Sequence, residues 1–450
     1  MKRKLYDTLL EWKRRDAGKY ALLIDGARRV GKSYLAEEFA RREYENHVVI
    51  DFAEIGADVK RIFNDELRNL DVFFMLLQSK LGVSLTPGRS LVVFDEVQRF
   101  PRAREAIKYL VKDGRYHYLE TGSLISLNKN VKNIVIPSEE LHVKLYPMDF
   151  EEFLWATGNP VLMDYIRQCF MDSRPMGESM HRQAMGLFRQ YMIVGGMPQA
   201  VAEYASSHDL GAVDRAKRAI LNLYREDIQK YSGRTAAKIE GIWDELPAAL
   251  SRHEKRFRPG TVSGSGRMRE LSDAFQWLKN SMTVNVCYNS TEPTVGLKMN
   301  MDRSTLKGYL ADTGLLVSHA FDENRLNAEE IHKRILFESI ELNEGMLVEN
   351  MVAQMLTASG KNLYFFSKTG EKGTGDRMEV DFLTAKDKLS RRKNLSVIEV
   401  KSSKRFTAVS LGRFIAKYKA FIDKAYVLCP KDIFRKDGLV TLPLYMAPFL

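Results

Sequence analysis

The chain has 450 residues, of which 45% are apolar and 28% charged, and this balance is typical of an ordinary soluble protein with two to four domains. Lysine and arginine number 69 against 58 acidic residues, so the net charge of +11 makes nucleic acid or another polyanion a reasonable partner, although a merely basic cytosolic protein fits equally well. Three widely spaced cysteines exclude a disulfide framework, and no apolar run reaches the roughly 20 residues of a membrane span.

The N-terminus, "MKRKLYDTLLEWKRR", is basic, but Asp7 and Glu11 interrupt the apolar segment that a signal peptide needs. Leu5, Leu9 and Trp12 have the spacing of a short amphipathic helix that leads into the first domain. We therefore expect a cytoplasmic protein with no membrane association.

From Tyr20 to about Phe150, short apolar strands alternate with helices in "YALLID", "HVVIDF", "SLVVFDEV" and "YHYLETGS". This alternation predicts a parallel sheet with helices on both faces, that is, an α/β fold. We assign residues 1–155 to this domain and its lead-in helix. Residues 156–232 are predicted to form a helical region.

A phosphate-binding pattern, G-x-x-x-x-G-K-S, stands between the first strand and a helix, as a P-loop requires. Its glycines let backbone N–H groups turn toward phosphate, and the helix N-terminus adds partial positive charge. Lys32 would reach the β- and γ-phosphates of ATP, and Ser33 would be a ligand of Mg²⁺. The alternative is a glycine-rich turn without a ligand. The predicted nucleotide-binding residues are Gly26, Ala27, Arg28, Arg29, Val30, Gly31, Lys32, Ser33 and Tyr34.

The stretch "LVVFDE" is a buried strand that ends in two carboxylates, at the sheet edge where ligands bind in open α/β folds. Asp95 is predicted to hold Mg²⁺, and Glu96 to polarise the water that attacks the γ-phosphate. The alternative is a pair of acids that cap the next helix. A further strand ends in Thr121, Gly122 and Ser123, where we favour Ser123 over Thr121 for contact with the γ-phosphate, with an ordinary turn as the alternative. The predicted catalytic residues are Lys32, Glu96 and Ser123.

Residues 233–330 have the outline of a winged helix. Helices near 238–250 and 268–279 are followed by two strand-like pieces, "TVNVCYN" and "VGLKMNM". The basic stretches "SRHEKRFRPG" and "GRMRE" suit DNA contact, and a solvated surface is the alternative.

Residues 331–450 contain a second group of charged residues on predicted strands. The strand period places Glu399 and Lys401 of "VIEVKSS" on one face, and Asp381 of "EVDFL" could face the same edge. Glu349, on an amphipathic helix upstream, could add a third carboxylate. Clustered carboxylates beside a lysine are what a metal-dependent nuclease needs, but such scaffolds also serve as inactive binding modules. We therefore predict a nuclease-like site and leave cleavage open.

Eight motifs together resemble those of bacterial and archaeal AAA+-type ATPases with a C-terminal domain of unknown function. The motifs are "GARRVGKS", "LVVFDEVQ", "TGSL", "LYPMDFEEFLWA", "GGMPQAV", "YREDIQKY", "KGYLADTGLL" and "EVDFL…IEVKSS". The resemblance implies a P-loop ATPase core, a helical and winged-helix middle region, and a C-terminal part similar to PD-(D/E)xK restriction-endonuclease folds. Many relatives have a Gly-Arg pair after the third strand motif, but the corresponding region here has no arginine. Arg225 is a candidate substitute for that arginine finger, although we favour a surface or structural role for it.

The sequence thus predicts a Mg²⁺-dependent ATPase of AAA+ type whose nucleotide state is coupled to a C-terminal module that binds nucleic acid or a protein. An ATP-regulated DNA nuclease is one alternative, and a slow nucleotide-dependent switch with an inactive nuclease-like domain is another. A homo-oligomer is typical of AAA+ proteins, although the missing arginine weakens that inference.

Overall fold

The computed structural model describes residues 1–123, 137–230, 234–264, 266–294, 296–322, 330, 344–368, 377–385, 393–436 and 438–450. These residues form two compact units, Met1–Tyr146 and Pro147–Leu450, each with its own sheet. None of the helices in these ranges is both long and apolar enough to cross a membrane. The segment "NAEEIHKRI" and the basic loop "KDKLSRRKN" lie mostly outside the described residues, and the predicted boundaries at 155, 232 and 330 stay predictions.

The described residues of the first unit form five strands and five α-helices. They are α1 (Leu5–Arg15), β1 (Ala21–Gly26), α2 (Lys32–Glu43), β2 (Asn46–Asp51), α3 (Ala57–Asp65), α4 (Leu70–Leu81), β3 (Ser90–Asp95), α5 (Pro101–Asp113), β4 (His117–Gly122) and β5 (Glu140–Leu145). All strands are parallel, in the order β2-β3-β4-β1-β5. The predicted α/β fold is confirmed, and β5 is an edge strand that the sequence pattern did not indicate.

Alternating side chains along these strands build a hydrophobic core on each face of the sheet. Leu23 and Val92 belong to the core with α3, α4 and α5, whereas Leu22 and Val93 belong to the core with α1 and α2. Both faces are therefore buried, which explains why the strands are continuous apolar runs. The polar residues that follow β1, β3 and β4 consequently meet at the carboxyl edge of the sheet.

The second unit combines a helical part with a mixed sheet. Its helices are α6 (Phe150–Ala156), α7 (Leu162–Asp172), α8 (Glu178–Val194), α9 (Pro198–Ser207), α10 (Leu210–Gln229), α11 (Arg234–Ser251), α12 (Ser272–Asn280), α13 (Thr313–Ala320), α14 (Glu344–Ala358) and α15 (Val409–Tyr418). Its strands are β6 (Val284–Ser290), β7 (Met301–Leu310), β8 (Tyr364–Lys368), β9 (Met378–Ala385), β10 (Leu395–Val400), β11 (Ile422–Cys429), β12 (Phe434–Lys436) and β13 (Leu439–Pro443).

In the described part of the second unit, eight strands form one sheet in the order β12-β13-β11-β10-β9-β8-β6-β7. The first strand predicted as a wing, β6, therefore extends the C-terminal sheet, because it pairs in parallel with β8. The prediction of a second strand at "VGLKMNM" was wrong for residues 296–300, and the strand that pairs with β6, β7, begins only at Met301. The chain turns there, with Met299 N donating to Gly296 O at 2.8 Å and Thr291 N to Asn300 O at 2.9 Å.

Asp312, in the motif "YLADTGLL", has a structural role at the start of α13. Its carboxylate accepts hydrogen bonds from Leu315 N at 2.9 Å and from Gly196 N at 2.6 Å. It thus caps α13 and fixes the "GGMP" turn of the helical part. A side chain at Gly196 would clash there, because its Cβ would lie 2.0 Å from the carbonyl oxygen of Met148.

Candidate functional site

The predicted P-loop connects β1 to α2 and has the backbone that its glycines allow. Gly31 has a φ of 95°, in the left-handed region that favours glycine. A Cβ on Gly26 would lie 2.5 Å from the carbonyl oxygen of Leu145, so only glycine fits beside β5. Of the other predicted loop residues, Tyr34 is 55% exposed, so its ring is open to solvent at the first turn of α2.

Lys32 is buried inside this loop. Its Nζ donates to the carbonyl oxygens of Gly26 and Ala27, at 3.0 Å in both cases. Burial lowers the pKa of Lys32, and the nearby carboxylates of Glu96 and Asp25 oppose that effect. The ammonium thus donates to backbone oxygens of the loop, and it can donate to phosphate oxygens instead when a nucleotide binds.

Arg3 donates hydrogen bonds to the backbone of the P-loop and of the residue after β5. The sequence pattern did not predict this contact. Its guanidinium donates to Val30 O at 2.9 Å and to Tyr146 O at 2.6 Å. Arg3 is 5% exposed although it stands near the chain start. A basic residue before an amphipathic helix has no local feature that predicts such a contact, since its partners are 27 and 143 residues away.

The Asp95 carboxylate, at the end of β3, accepts hydrogen bonds from two hydroxyl groups. Ser33 Oγ donates to Asp95 Oδ1 at 2.8 Å, and Thr121 Oγ1 donates to the same oxygen. Thr121 Oγ1 also accepts from Glu96 N at 3.1 Å. Thr121, the residue that we favoured less, therefore contacts the β3 carboxylate directly, while Ser123 is half-buried just after β4 and its role stays a prediction.

The donor set at Asp95 fits a magnesium ion. A hydroxyl and a carboxylate oxygen already lie within 2.8 Å of one another, and Mg²⁺ in nucleotide sites is held by such oxygens together with phosphates and water. Ser33 and Asp95 are the residues that would hold it.

Glu96 has an unusual backbone and a fixed side chain. Its φ of 53° lies in the left-handed region, which is strained for a residue other than glycine and is frequent at functional sites. Gln98, which is buried, donates from Nε2 to Glu96 Oε2 at 2.7 Å. Gln98 was not predicted, although it lies only two residues further in the motif "DEVQ".

The predicted nuclease-like residues of the second unit lie in one partly buried group, which also contains residues that were not predicted. We name this group the acid–lysine cluster. It consists of Lys255, Lys307, Glu349, Glu379, Asp381, Glu399 and Lys401.

Glu349, on α14, is the most strongly bound acid of the cluster. Its Oε1 lies 3.2 Å from Lys307 Nζ and accepts from Tyr309 Oη at 2.5 Å, and its Oε2 accepts from Lys255 Nζ. Although burial acts to raise the pKa of Glu349, the two lysines lower it to about 2. Glu349 is therefore ionised, and both of its carboxylate oxygens accept hydrogen bonds.

Asp381 and Glu399 lie on the neighbouring strands β9 and β10. Val400 N donates to Asp381 Oδ2 at 2.9 Å, and Lys401 Nζ donates to Glu399 Oε1 at 2.7 Å. Burial and the charges of Glu399 and Glu349 raise the pKa of Asp381 to about 8. Burial also raises the pKa of Glu399, against the effect of Lys401. Within the described ranges, no three carboxylate, histidine or cysteine groups are arranged to hold a metal ion.

Comparison with known protein families identifies the first unit. Residues 18–154 match the model of an AAA domain. This match supports an ATP-binding protein of AAA+ type, and it confirms the predicted resemblance for this part of the chain. Residues 185–327 and 344–446 match two domains of unknown function, DUF8612 and DUF4143. The predicted likeness of the C-terminal part to restriction-endonuclease folds stays a prediction.

Solved structures with similarity to the chain include a Walker-type ATPase of Pyrococcus abyssi, with 17% identity and a TM-score of 0.41 over 71% of this chain and 95% of that chain. The RuvB Holliday junction branch migration motor of Thermotoga maritima has 12% identity and a TM-score of 0.29 over 68% of this chain and 89% of that chain. Similarities at this level say nothing about activity. No curated protein matches the sequence.

Arg225, the substitute arginine finger, lies on α10 outside the AAA domain. Its Nη2 forms an ion pair with Asp244 Oδ1 on α11 at 3.0 Å. This pair gives Arg225 a structural partner within the second unit, which is the alternative that we considered. The region 124–136, which includes most of the segment without arginine, is outside the described residues.

Proposed function

We propose that this protein binds and hydrolyses ATP with Mg²⁺ at the AAA domain, and that its nucleotide state is coupled to nucleic-acid binding by the second unit. The observation that carries the proposal is the contact of Ser33 with Asp95 at 2.8 Å, beside a buried Lys32 and a strained Glu96. A structural glycine-rich turn does not explain why these four polar groups converge at one sheet edge.

Each residue has a distinct task in this proposal. The P-loop N–H groups and Lys32 bind the phosphates, while Ser33 and Asp95 hold Mg²⁺, which neutralises phosphate charge when bound. Glu96 accepts a hydrogen bond from the attacking water and orients it toward the γ-phosphate. The Thr121 hydroxyl contacts both Asp95 and the Glu96 backbone and so fixes their relative positions. Gln98 orients the Glu96 carboxylate.

Support for nucleic acid as the partner comes from a groove of about 260 Å³ on the second unit. Lys279, Lys298 and Arg303 line it together with Tyr288 and Tyr364, and none of its ten described lining residues is acidic. The two tyrosines are register partners on β6 and β8, and Lys279 Nζ lies 5.4 Å from the Tyr288 ring centroid. Basic side chains attract phosphates, and the partly buried ring of Tyr288 can stack on a base, whereas Tyr364 belongs to the core behind it. Single-stranded nucleic acid therefore suits this groove.

Two binding measurements test the proposal. Lys32→Ala should abolish ATP binding, measured by titration with a fluorescent ATP analogue, and with it phosphate release. The double variant Lys298→Ala/Arg303→Ala should weaken binding of a short single-stranded oligonucleotide by about tenfold and reduce its salt dependence, because two phosphate contacts are lost. Lys60→Ala, which removes an exposed lysine of α3, is the control.

Unchanged oligonucleotide affinity in the groove variant would argue for a protein partner instead. Normal ATP binding by Lys32→Ala would overturn the assignment of the nucleotide site itself.

A further inference from the structure

Lys307 lies at the centre of the acid–lysine cluster. It stands on β7, is 1% exposed, and its Nζ is 3.2 Å from Glu349 Oε1, 3.4 Å from Glu379 Oε1 and 3.8 Å from Asp381 Oδ1. Three acids from two elements, α14 and β9, thus surround one ammonium. In a metal-dependent nuclease, clustered carboxylates would instead share a divalent cation.

The sheet explains how Lys307 reaches this position. On β7 it is the register partner of Cys287 on β6, and β6 is followed across the sheet by β8 and then by β9, which carries Glu379 and Asp381. The lysine side chain extends over β6 toward β8, where the ring centroid of Phe365 lies 5.1 Å from its Nζ. The side chains of Glu379 and Asp381 extend toward it from β9, so that the groups meet over β8.

The remaining oxygens of the cluster are largely committed to other donors. Glu349 accepts from Lys255 and Tyr309, Asp381 accepts from the backbone of Val400, and Glu399 accepts from Lys401. Among the described residues, Glu399 Oε2 is buried with no hydrogen-bond partner. With the Lys307 ammonium among them, the acids of the described cluster do not form a metal-holding group, whereas Mg²⁺ requires near-octahedral oxygen coordination at about 2.0–2.1 Å.

We infer that the Lys307 ammonium takes the place of a divalent cation in the acid–lysine cluster, so that the C-terminal module keeps nuclease-like acids without binding metal. The ammonium donates a hydrogen bond to Glu349, balances the charge of the ionised acids around it, and repels any second cation that approaches. The module is then a binding module that does not cleave phosphodiesters by a metal-dependent route. This inference is independent of ATP hydrolysis by the AAA domain.

The test is binding of Mn²⁺ to the full chain without nucleotide, measured by electron paramagnetic resonance. All proteins carry Asp95→Asn, which removes the predicted metal ligand of the AAA domain. The protein with Lys307 intact should show no stoichiometric Mn²⁺ site. Lys307→Met should gain one site per chain, with affinity at least about tenfold above background, and its thermal midpoint should rise when Mn²⁺ is added.

Two controls separate this effect from a general change of charge. Lys60→Met removes an exposed lysine and should leave Mn²⁺ binding at background. Lys307→Met/Asp381→Asn should lose the site that Lys307→Met gains, because a predicted ligand is removed.

The inference is overturned if the protein with Lys307 intact binds one Mn²⁺ per chain and Asp381→Asn abolishes that binding. It is also overturned if Lys307→Met folds but gains no site. Should Lys307→Met fold only when Mn²⁺ is present, the inference is supported. If Lys307→Met is unfolded both with and without Mn²⁺, the Mn²⁺ titration of the protein with Lys307 intact decides alone whether the inference stands.

Discussion

The amide of Gln98 donates a hydrogen bond of 2.7 Å to Oε2 of Glu96, the carboxylate that we assign to the attacking water. Glu96 stands in the left-handed region at φ 53°, so both its backbone and its side chain are fixed. This relationship suggests that turnover depends on the orientation of Glu96 as well as on its charge.

Gln98→Leu is expected to lower kcat for ATP hydrolysis by about tenfold to a hundredfold, because the carboxylate loses the group that orients it. ATP affinity should be unchanged, since Gln98 has no assigned contact with phosphate. Steady-state phosphate release and nucleotide titration measure the two quantities separately. Equal losses of affinity and turnover would instead indicate general damage to the fold.

Thr121→Val is expected to raise the Mg²⁺ concentration that half-maximal ATP hydrolysis requires, and to raise it more than Ser123→Ala does. The threonine hydroxyl contacts both Asp95 and the Glu96 backbone, and loss of such outer contacts costs about tenfold to a hundredfold in metal affinity or activity. The measurement is the Mg²⁺ concentration that gives half-maximal ATP hydrolysis in each variant. If Ser123→Ala has the larger effect, the original preference for Ser123 is correct.

Arg3→Ala is expected to destabilise the first unit by about 2–4 kcal/mol, because two carbonyl groups lose a buried charged donor. Urea unfolding followed by circular dichroism measures this free energy. Arg14→Ala, at an exposed position of α1, is the control and should change stability by less than about 0.5 kcal/mol. A small effect of Arg3→Ala would show that water replaces its contacts.

Asp381→Asn is expected to gain stability relative to the wild type as pH rises from about 5 to about 8.5. The folded chain keeps the Asp381 carboxyl protonated up to its pKa of about 8, whereas the unfolded chain loses that proton near 3.8. The unfolded state therefore binds fewer protons between these values, and the stability of the wild type falls as pH rises through them.

Asparagine removes that ionisation and retains an oxygen for Val400 N. The difference between the two proteins should therefore grow by at least about 1.4 kcal/mol, which corresponds to one pKa unit, between urea unfolding at pH 5 and at pH 8.5. If the free energies of unfolding of the wild type and Asp381→Asn differ by the same amount at pH 5 and at pH 8.5, the pKa of Asp381 is not raised by folding.

The convergence of the loop, Lys32 and Asp95 at one sheet edge could be predicted from sequence because its signals are local. The glycines of the loop, Lys32 and the acids after β3 occur at fixed offsets from apolar strands, and parallel strands bring such ends together. We favoured Ser123 over Thr121, but the sequence did not show that Thr121 contacts Asp95, because a difference of two residues at a strand end changes which side chain faces that carboxylate.

Of the acid–lysine cluster, the sequence predicted Glu349, Asp381, Glu399 and Lys401 but not Glu379, Lys255 or Lys307. Lys307 was missed because its partner Glu349 is 42 residues away, and nothing in "STLKGYL" distinguishes a central lysine from a solvated one. The wing was misplaced for a similar reason. Strand-like alternation in "VGLKMNM" does not show that the chain turns at Gly296, nor that β6 will pair with β8.

The most direct test of the central claim, ATP hydrolysis at the AAA domain, compares phosphate release by the wild type and Glu96→Gln with Mg²⁺ and saturating ATP. The account predicts Mg²⁺-dependent turnover by the wild type and a loss of about 10²–10⁴-fold in Glu96→Gln, with ATP affinity retained. Glu203→Gln, a change of the same kind at a partly exposed position of α9, should behave like the wild type. Wild-type turnover that persists in Glu96→Gln, or no Mg²⁺-dependent turnover at all, would contradict it.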